Sequence, residues 1–250
     1  MKYLVKIKYV GDGFFGFQVQ NDKRTVQGTL TEAFSSLFGC RTKITGCSRT
    51  DSGVHALGFC ATVEPISEAA PHIPPSKLPL AVYPYLPPDL SVFEAYEVPS
   101  DFHPRYSVKK KEYLYRICTA KVPDPFLHNR VWNISVPSDD DALNRMREAA
   151  AFIIGKHDFT SFMAQGSKVT DCVRTVYSLD IEKSGEEIKI RISADGFLYN
   201  MVRIIVGTLV SVAFGRFSPE YVREVIERGR RSLAGDTAPA CGLYLLSAEY

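Results

Sequence analysis

Residues 46–56 read Gly46-Cys47-Ser48-Arg49-Thr50-Asp51-Ser52-Gly53-Val54-His55-Ala56, a short stretch holding a carboxylate, a guanidinium, an imidazole and a thiol. Asp51-Ser52-Gly53 has the composition of a turn whose carboxylate bonds its own backbone. Arg49 lies two residues earlier, in a segment leaving a strand, so both side chains can point from the strand end into a cleft. Arg203 stands out for a different reason. It is the only charge between Asp195 and Arg216, inside a stretch that is otherwise apolar. A guanidinium left unpaired there would cost on the order of several kcal/mol, so it needs a buried partner or a path to solvent.

Two further motifs invite chemistry and fail on spacing. Gly11-Asp12-Gly13-Phe14-Phe15-Gly16 matches G-x-G-x-x-G and follows a strand. A dinucleotide site, however, needs the last glycine to open a helix that holds the pyrophosphate. Here Phe17-Gln18-Val19-Gln20-Asn21-Asp22 alternate and then turn. These glycines are read as shaping a loop beside a site, with no nucleotide cofactor. Cys47, His55 and Cys60 fit no common zinc spacing, so no metal is expected. The cysteines at 40, 47, 60, 118, 172 and 241 contain no Cys-x-x-Cys pair and read as reduced thiols in a cytoplasm.

The elements that would carry these residues are legible from periodicity. Tyr3, Val5, Ile7 and Tyr9 alternate with Lys2, Lys6 and Lys8, the pattern of a half-buried strand. Thr25 caps a helix with Val26, Leu30, Phe34, Leu37 and Phe38 on one face and Gly39 closing it. Strands are expected near 43–49, 55–64 and 91–98, with a Pro-rich helix or turn at 75–88. In the second half Tyr113, Tyr115 and Ile117 alternate with Leu114 and Arg116. Ser138 and Asp141 form a capping-box pair before a helix ended by Gly155. Strands 173–181 and 187–194 flank a Ser184-Gly185 turn, and an apolar helix spans 197–214. Ser218-Pro219 then opens a short helix closed by Gly229, and 243–249 is the last strand. Both halves read β-α-β-β-α-β, the split βαβ arrangement. The expected fold is α+β: two ferredoxin-like halves, 1–104 and 105–250, forming one mixed sheet with helices on one face and a central cleft.

The chain has 250 residues with 30 basic and 28 acidic side chains, a net charge of +2 that neither announces nor excludes a nucleic-acid partner. Distribution says more. Arg105, Lys109, Lys110, Lys111 and Arg116 face a single acid, Glu112, whereas Arg223, Arg228, Arg230 and Arg231 are diluted by Glu220, Glu224 and Glu227. Hydrophobic content of 45% excludes wholesale disorder. The longest uncharged apolar stretch, Ile204 to Gly215, is too short to span a bilayer, and Lys2, Lys6 and Lys8 break any hydrophobic leader. A cytoplasmic chain without membrane association is expected.

Arg49-Thr50-Asp51-Ser52-Gly53-Val54-His55-Ala56 resembles the active-site motif of the tRNA pseudouridine synthase A family. The likeness continues in chain order through Gly16-Phe17-Gln18-x-Gln20, Thr25-Val26-Gln27-Gly28, Asp101-Phe102-His103 and Lys111-x-Tyr113-x-Tyr115-x-Ile117. Asp158-Phe159-x-Ser161-Phe162, Met201-Val202-Arg203-x-x-Val206-Gly207 and Gly242-Leu243-Tyr244-Leu245 complete the series. The resemblance implies isomerisation of uridine to pseudouridine at positions 38, 39 and 40 in the anticodon arm of tRNA, with no redox change and no cofactor, by a homodimer. It implies that Asp51 is the essential aspartate, that Arg203 pairs with it, and that Tyr113 stacks on the uracil and moves a proton. Arg49 would hold the target nucleotide out of its helix, and Leu243 would form an apolar wall of the uracil pocket. The cleft then becomes RNA-binding, and the Arg105–Arg116 cluster a phosphate track. The chain departs from the family pattern at Val10, Phe17 and Tyr83. The competing reading is a non-catalytic RNA-binding module on the same fold, for which a buried carboxylate would have no use.

Overall fold

In the computed structural model, which describes residues 1–166 and 169–250, the alternation of the first residues becomes strand β1 (Tyr3–Tyr9). Tyr3, Val5 and Ile7 are wholly enclosed on one face. Helix α1 (Val26–Phe38) covers that face, and Phe38 stacks on Tyr3 at 6.1 Å. The Thr25 side chain accepts the Gly28 N–H at 3.2 Å to begin the helix, and Gly39 ends it at φ 64°. Strands β2 (Thr42–Gly46) and β3 (His55–Pro65), helix α2 (Leu78–Val82) and strand β4 (Leu90–Glu97) follow. β1 runs antiparallel to both β3 and β4, and β2 runs antiparallel to β3. On the face away from α1, Lys6 pairs with Glu94 at 2.8 Å and Lys8 lies over the Phe93 ring. These elements belong to a unit made of Met1–Lys109 and Tyr244–Tyr250.

The second unit, Lys110–Leu243, is built on strands that pair mostly antiparallel. Its strands are β5 (Lys110–Cys118), the two-residue β6 (Trp132–Asn133), β7 (Gly155–Asp158), β8 (Val173–Ser184) and β9 (Glu187–Ala194). The order is β5-β9-β8-β7, with β6 parallel to β5 at its edge. Helices α3 (Asp140–Ala151), α4 (Met201–Ala213) and α5 (Tyr221–Arg228) complete it. The fold class is α+β.

Of the boundaries that differ from the sequence pattern, three have a clear local reason. The cap of α3 is Asp139, not Ser138: its carboxylate accepts the Ala142 N–H at 2.8 Å and its charge suits the helix N-terminus. Gly155 does not close α3 but begins β7 at φ 112°. The apolar run at 197 becomes helical only at Met201, because Asn200 takes the left-handed region at φ 60°.

The closing strand β10 (Leu243–Glu249) joins the first unit from Tyr244 onward, where Tyr244 and Leu245 lie parallel to His55 and Ala56 of β3. β1 occupies one edge of β3, so β10 at residues 55–56 and β2 at residues 61–65 divide the other. Tyr250 then folds back: its hydroxyl donates to the Pro104 carbonyl at 2.9 Å and its ring tilts onto Phe102. Beneath it, burial pushes the Cys60 thiol up to about 11, with Tyr250 and Lys6 opposing. Burial likewise raises the Tyr250 phenol, beside Cys47 and Cys60.

A thiol that stays protonated in the fold but ionises when unfolded makes stability fall as pH rises, because the unfolded chain then binds fewer protons. The contribution of Cys60 is whole below pH 9.0 and lost as pH rises toward 11. At about 1.4 kcal/mol per pH unit the loss is on the order of 2 kcal/mol. Thermal melts of wild type from pH 8 to 11 should show that fall, and Cys60→Ala should make it shallower, most clearly below pH 10, where the Tyr250 phenol does not yet contribute. An unchanged slope in the variant would assign the alkaline limb to other groups.

Candidate active site

Asp51 opens a turn closed by the Val54 N–H on the Asp51 carbonyl at 3.2 Å, with Gly53 at φ 79° in the third position. That positive φ is the reason for a glycine there. Asp51 is half-buried and Arg49 exposed. The Gly11–Gly16 loop lies against this turn. The Phe17 N–H donates to the Thr50 carbonyl at 3.0 Å, the Ser52 hydroxyl donates to the Phe14 carbonyl at 3.3 Å, and the Tyr9 and Thr50 hydroxyls share a hydrogen bond at 2.8 Å. A Cβ on Gly11 would stand 2.3 Å from the Val54 carbonyl oxygen, and one on Gly16 2.6 Å from that of Thr50. The loop is therefore a cushion for the Asp51 turn. The helix that follows begins only at Val26, and its first N–H groups, those of Val26 and Gln27, donate to the Gly16 and Phe17 carbonyls at 3.2 and 2.9 Å, so the loop's own backbone occupies that helix N-terminus.

The loop's far side is held as firmly. Gln27 of α1 accepts the Val19 N–H at 3.0 Å and donates to the Ile44 carbonyl at 2.9 Å. Arg24 meets both Asp89 carboxylate oxygens at 2.7 Å and lies over the Phe14 ring. Of the departures from the family pattern, Phe17 stacks on Phe59 at 4.6 Å and fills the space that Gly46 leaves open. Val10 contributes its N–H to the Asp89 carbonyl, and Tyr83 is exposed.

In the second unit, Tyr113 sits on β5 opposite Ile192, enclosed at 6% exposure and edge-on to Phe197 at 5.0 Å. The half-buried Arg203 lies in the first turn of α4. Its Nε donates to the Ala238 carbonyl at 2.7 Å and an Nη to Asn200 Oδ1 at 2.8 Å, while its own carbonyl accepts the Ala238 N–H at 3.1 Å. One turn on, Thr208 accepts the Gly235 N–H at 2.9 Å. A Cβ on Gly207 would come within 1.8 Å of the Asp236 carbonyl oxygen. The Tyr115 hydroxyl donates to the Pro239 carbonyl at 2.7 Å, and burial raises its phenol, helped by Cys241 and opposed by Arg203. Residues 235–239 are thus pinned by α4 and β5, and a 3-10 turn at Ala240–Gly242 delivers the buried Leu243.

Arg49 and Asp51 therefore share one loop, and Arg203 and Leu243 are linked by the 235–242 segment. The structure adds Tyr9, Gln27, Tyr115, Asn200 and Thr208 as residues that fix these positions. Only a polar side chain inside a strand or helix pattern hints at them. The basic clusters change meaning. Arg105 and Lys109 are exposed, but Lys111 is buried and Arg116 Nε lies 2.5 Å from Glu187. Arg228 pairs with Glu224 at 2.6 Å, Arg223 lies over Phe152, and Arg231 bonds Thr237 and the Ala234 carbonyl. Among the described residues no three His, Cys, Asp or Glu side chains are grouped to hold a metal ion, and no helix is long and apolar enough to cross a membrane.

Comparison with known proteins bears directly on this arrangement. The family described as tRNA pseudouridine synthase matches residues 6–107 and 149–250. The tRNA pseudouridine synthase A of Thermoanaerobacter sp. (strain X514) is 42% identical over 247 residues, covering 99% of this chain and 98% of the relative. That of Bacillus licheniformis is 43% identical over 253 residues, and that of Bacillus subtilis 42% over 253, each covering 100% of this chain and 99% of the relative. A solved chain titled "Crystal Structure of a Cbf5-Nop10-Gar1 Complex" matches at a TM-score of 0.35 and 10% identity, covering 98% of this chain and 58% of its own, too slight a likeness to argue from. With two matched segments that include the Asp51 turn and the whole of α4, and with full-length relatives above 40% identity, the chain belongs to the tRNA pseudouridine synthase family, isomerases of uridine in tRNA.

Proposed function

We propose that this protein converts uridine to pseudouridine at positions 38, 39 and 40 in the anticodon arm of tRNA, as a cytoplasmic homodimer that needs no cofactor. The observation that carries the reading is the half-buried Asp51, held by the glycine loop in a motif that matches the family octapeptide. The reaction is an isomerisation. The C1′–N1 bond breaks, the base turns, and C1′ bonds to C5; C5 gives up its proton and N1 gains one, so atoms and electrons balance. Asp51 is the essential carboxylate, ionised as nucleophile or as support for elimination. Arg203 is its partner, able to keep it charged and oriented while its Nε stays on Ala238. Tyr113 stacks on the uracil and moves a proton. Arg49 holds the extruded nucleotide, and Leu243 is an apolar wall. Extrusion of the uridine costs a few kcal/mol, which interactions with the flipped base and phosphates must offset.

Purified Asp51→Asn, incubated with unmodified tRNA and mapped chemically for pseudouridine, should lose turnover by at least about a thousandfold while still binding tRNA. Substantial turnover with an unchanged melting temperature would remove Asp51 from the role. Pseudouridine confined to another arm would overturn the assigned positions, and binding without any turnover by wild type would favour the non-catalytic module. Arg203→Met should cut the single-turnover rate on the order of a hundredfold, with little change in tRNA affinity. Lysine should rescue it only in part, lacking the planar fork. Near wild-type chemistry in Arg203→Met would leave Arg203 a structural residue of α4.

Phosphate neutralisation makes log affinity fall linearly with log salt. Because Lys111 is buried and Arg116 is engaged by Glu187, the groups to remove are Arg105 and Lys109. Their double alanine variant should lower the salt slope by about one to two, roughly one for each phosphate no longer neutralised. An unaltered slope would place the phosphate track elsewhere.

A further inference from the structure

We propose that His55 is a positioning residue for Asp51, held as the tautomer with its proton on Nε2, and that it acts by locking the Gly11–Gly16 loop onto the 51–54 turn. The inference rests on the reading of Asp51 as the essential carboxylate. His55 opens β3 immediately after the turn and is 1% exposed. Its Nδ1 accepts the Gly11 N–H at 2.9 Å. Gly11 begins a 3-10 turn (Gly11–Gly13), whose leading N–H groups find no partner within the turn itself. The imidazole supplies that partner from the first residue of β3.

An accepting Nδ1 carries no proton, so the neutral ring holds its proton on Nε2. Nε2 lies 4.0 Å from Asp12 Oδ1, in the middle of the same 3-10 turn. The Tyr244 ring of β10 lies nearly flat on the imidazole, 4.6 Å between centroids at 22°, and sets the ring plane. One side chain thus ties the turn that carries Asp51, the glycine loop and β10. The tie is also directional. Gly11 already stands against the Gly53–Val54 peptide with no room for a Cβ, so its amide can meet His55 only in this orientation. Loss of the acceptor frees the loop to lift from Thr50, and with it the turn that aims the carboxylate. A displacement of about 1 Å at a reacting group is enough to cost on the order of a hundredfold in rate.

Two amides separate the ring's functions, because asparagine Oδ1 takes the place of Nδ1, and glutamine Nε2 that of Nε2. Relative to wild type on unmodified tRNA, His55→Asn should keep kcat within about fivefold. His55→Gln should lose it on the order of a hundredfold, with KM changed by less than about threefold. Glutamine equal to or better than asparagine, or a loss confined to KM, would overturn the proposal. If neither variant folds, nitrogen-15 spectra of the wild-type imidazole decide: an unprotonated Nδ1 with a protonated Nε2 near neutral pH supports it, and the opposite tautomer or an imidazolium refutes it. Turnover by Asp51→Asn would remove the reading of Asp51 instead, leaving the tautomer and the order of the two amides to judge the loop lock by themselves.

Discussion

Two peptide backbones meet in the first unit at a separation that no side chain could occupy. Gly11 against Val54, and Gly16 against Thr50, leave less than 3 Å for a Cβ, and Gly16 also requires a φ of 81°. An alanine at either place must move backbone, which in a packed interior costs about 1–3 kcal/mol or more. The geometry of the Asp51 turn is inherited from this close approach. Once the loops touch, Tyr9 reaches Thr50, Phe17 reaches the Thr50 carbonyl, and Phe17 can lie on Phe59 over the bare Gly46. Each of those bonds presupposes the approach of the backbones and would be out of reach without it.

The second unit solves a similar problem with a helix. α4 is enclosed along its whole length except at Arg203, so a chain packed against it must satisfy its own backbone on whatever polar atoms the helix offers. Gly207 removes the obstacle, Thr208 accepts one N–H, and the Arg203 main chain and side chain hold both polar atoms of Ala238. The Thr208 hydroxyl donates back to the Ile204 carbonyl, so it is satisfied in both directions. A residue whose charge looks anomalous in an apolar helix is thereby explained twice: it anchors a neighbouring segment, and its remaining donors stay oriented by Asn200.

How much of this the sequence discloses depends on range. β1, α1 and the β8–β9 hairpin are readable because period-2 and period-3.6 patterns are local, as are the Thr25 cap and the Gly39 and Gly185 turns. Asp139 outdoes Ser138 by being one residue nearer the helix, a contest that composition alone does not settle. β6 is invisible, since two residues carry no period. Among site residues, the motif singles out Asp51 and Arg49, and the charge anomaly singles out Arg203. Tyr115 reads as one more alternating aromatic because its partner, the Pro239 carbonyl, lies 124 residues away. The basic run Arg105–Arg116 misleads in the other direction. Adjacent lysines on a strand point to opposite faces, so a sequence cluster is divided by the pleat, and Lys111 goes to the buried side.

An isomerisation that carries no electrons away depends on accurate placement of whatever groups attack, support or move protons on the substrate. Placement is what the buried and half-buried polar groups provide here. Tyr115, Arg203, Gln27 and Thr208 each bond a backbone atom of a segment distant in sequence, and so does His55 through Gly11. A bond to another side chain would leave both partners free to shift together. A bond to a main-chain atom transmits the position of a whole strand or helix to the loop it touches. The polar interior thereby specifies where the Asp51 turn and the Leu243 segment sit within their own units. Apart from Arg203, it does so with groups that look ordinary in the sequence.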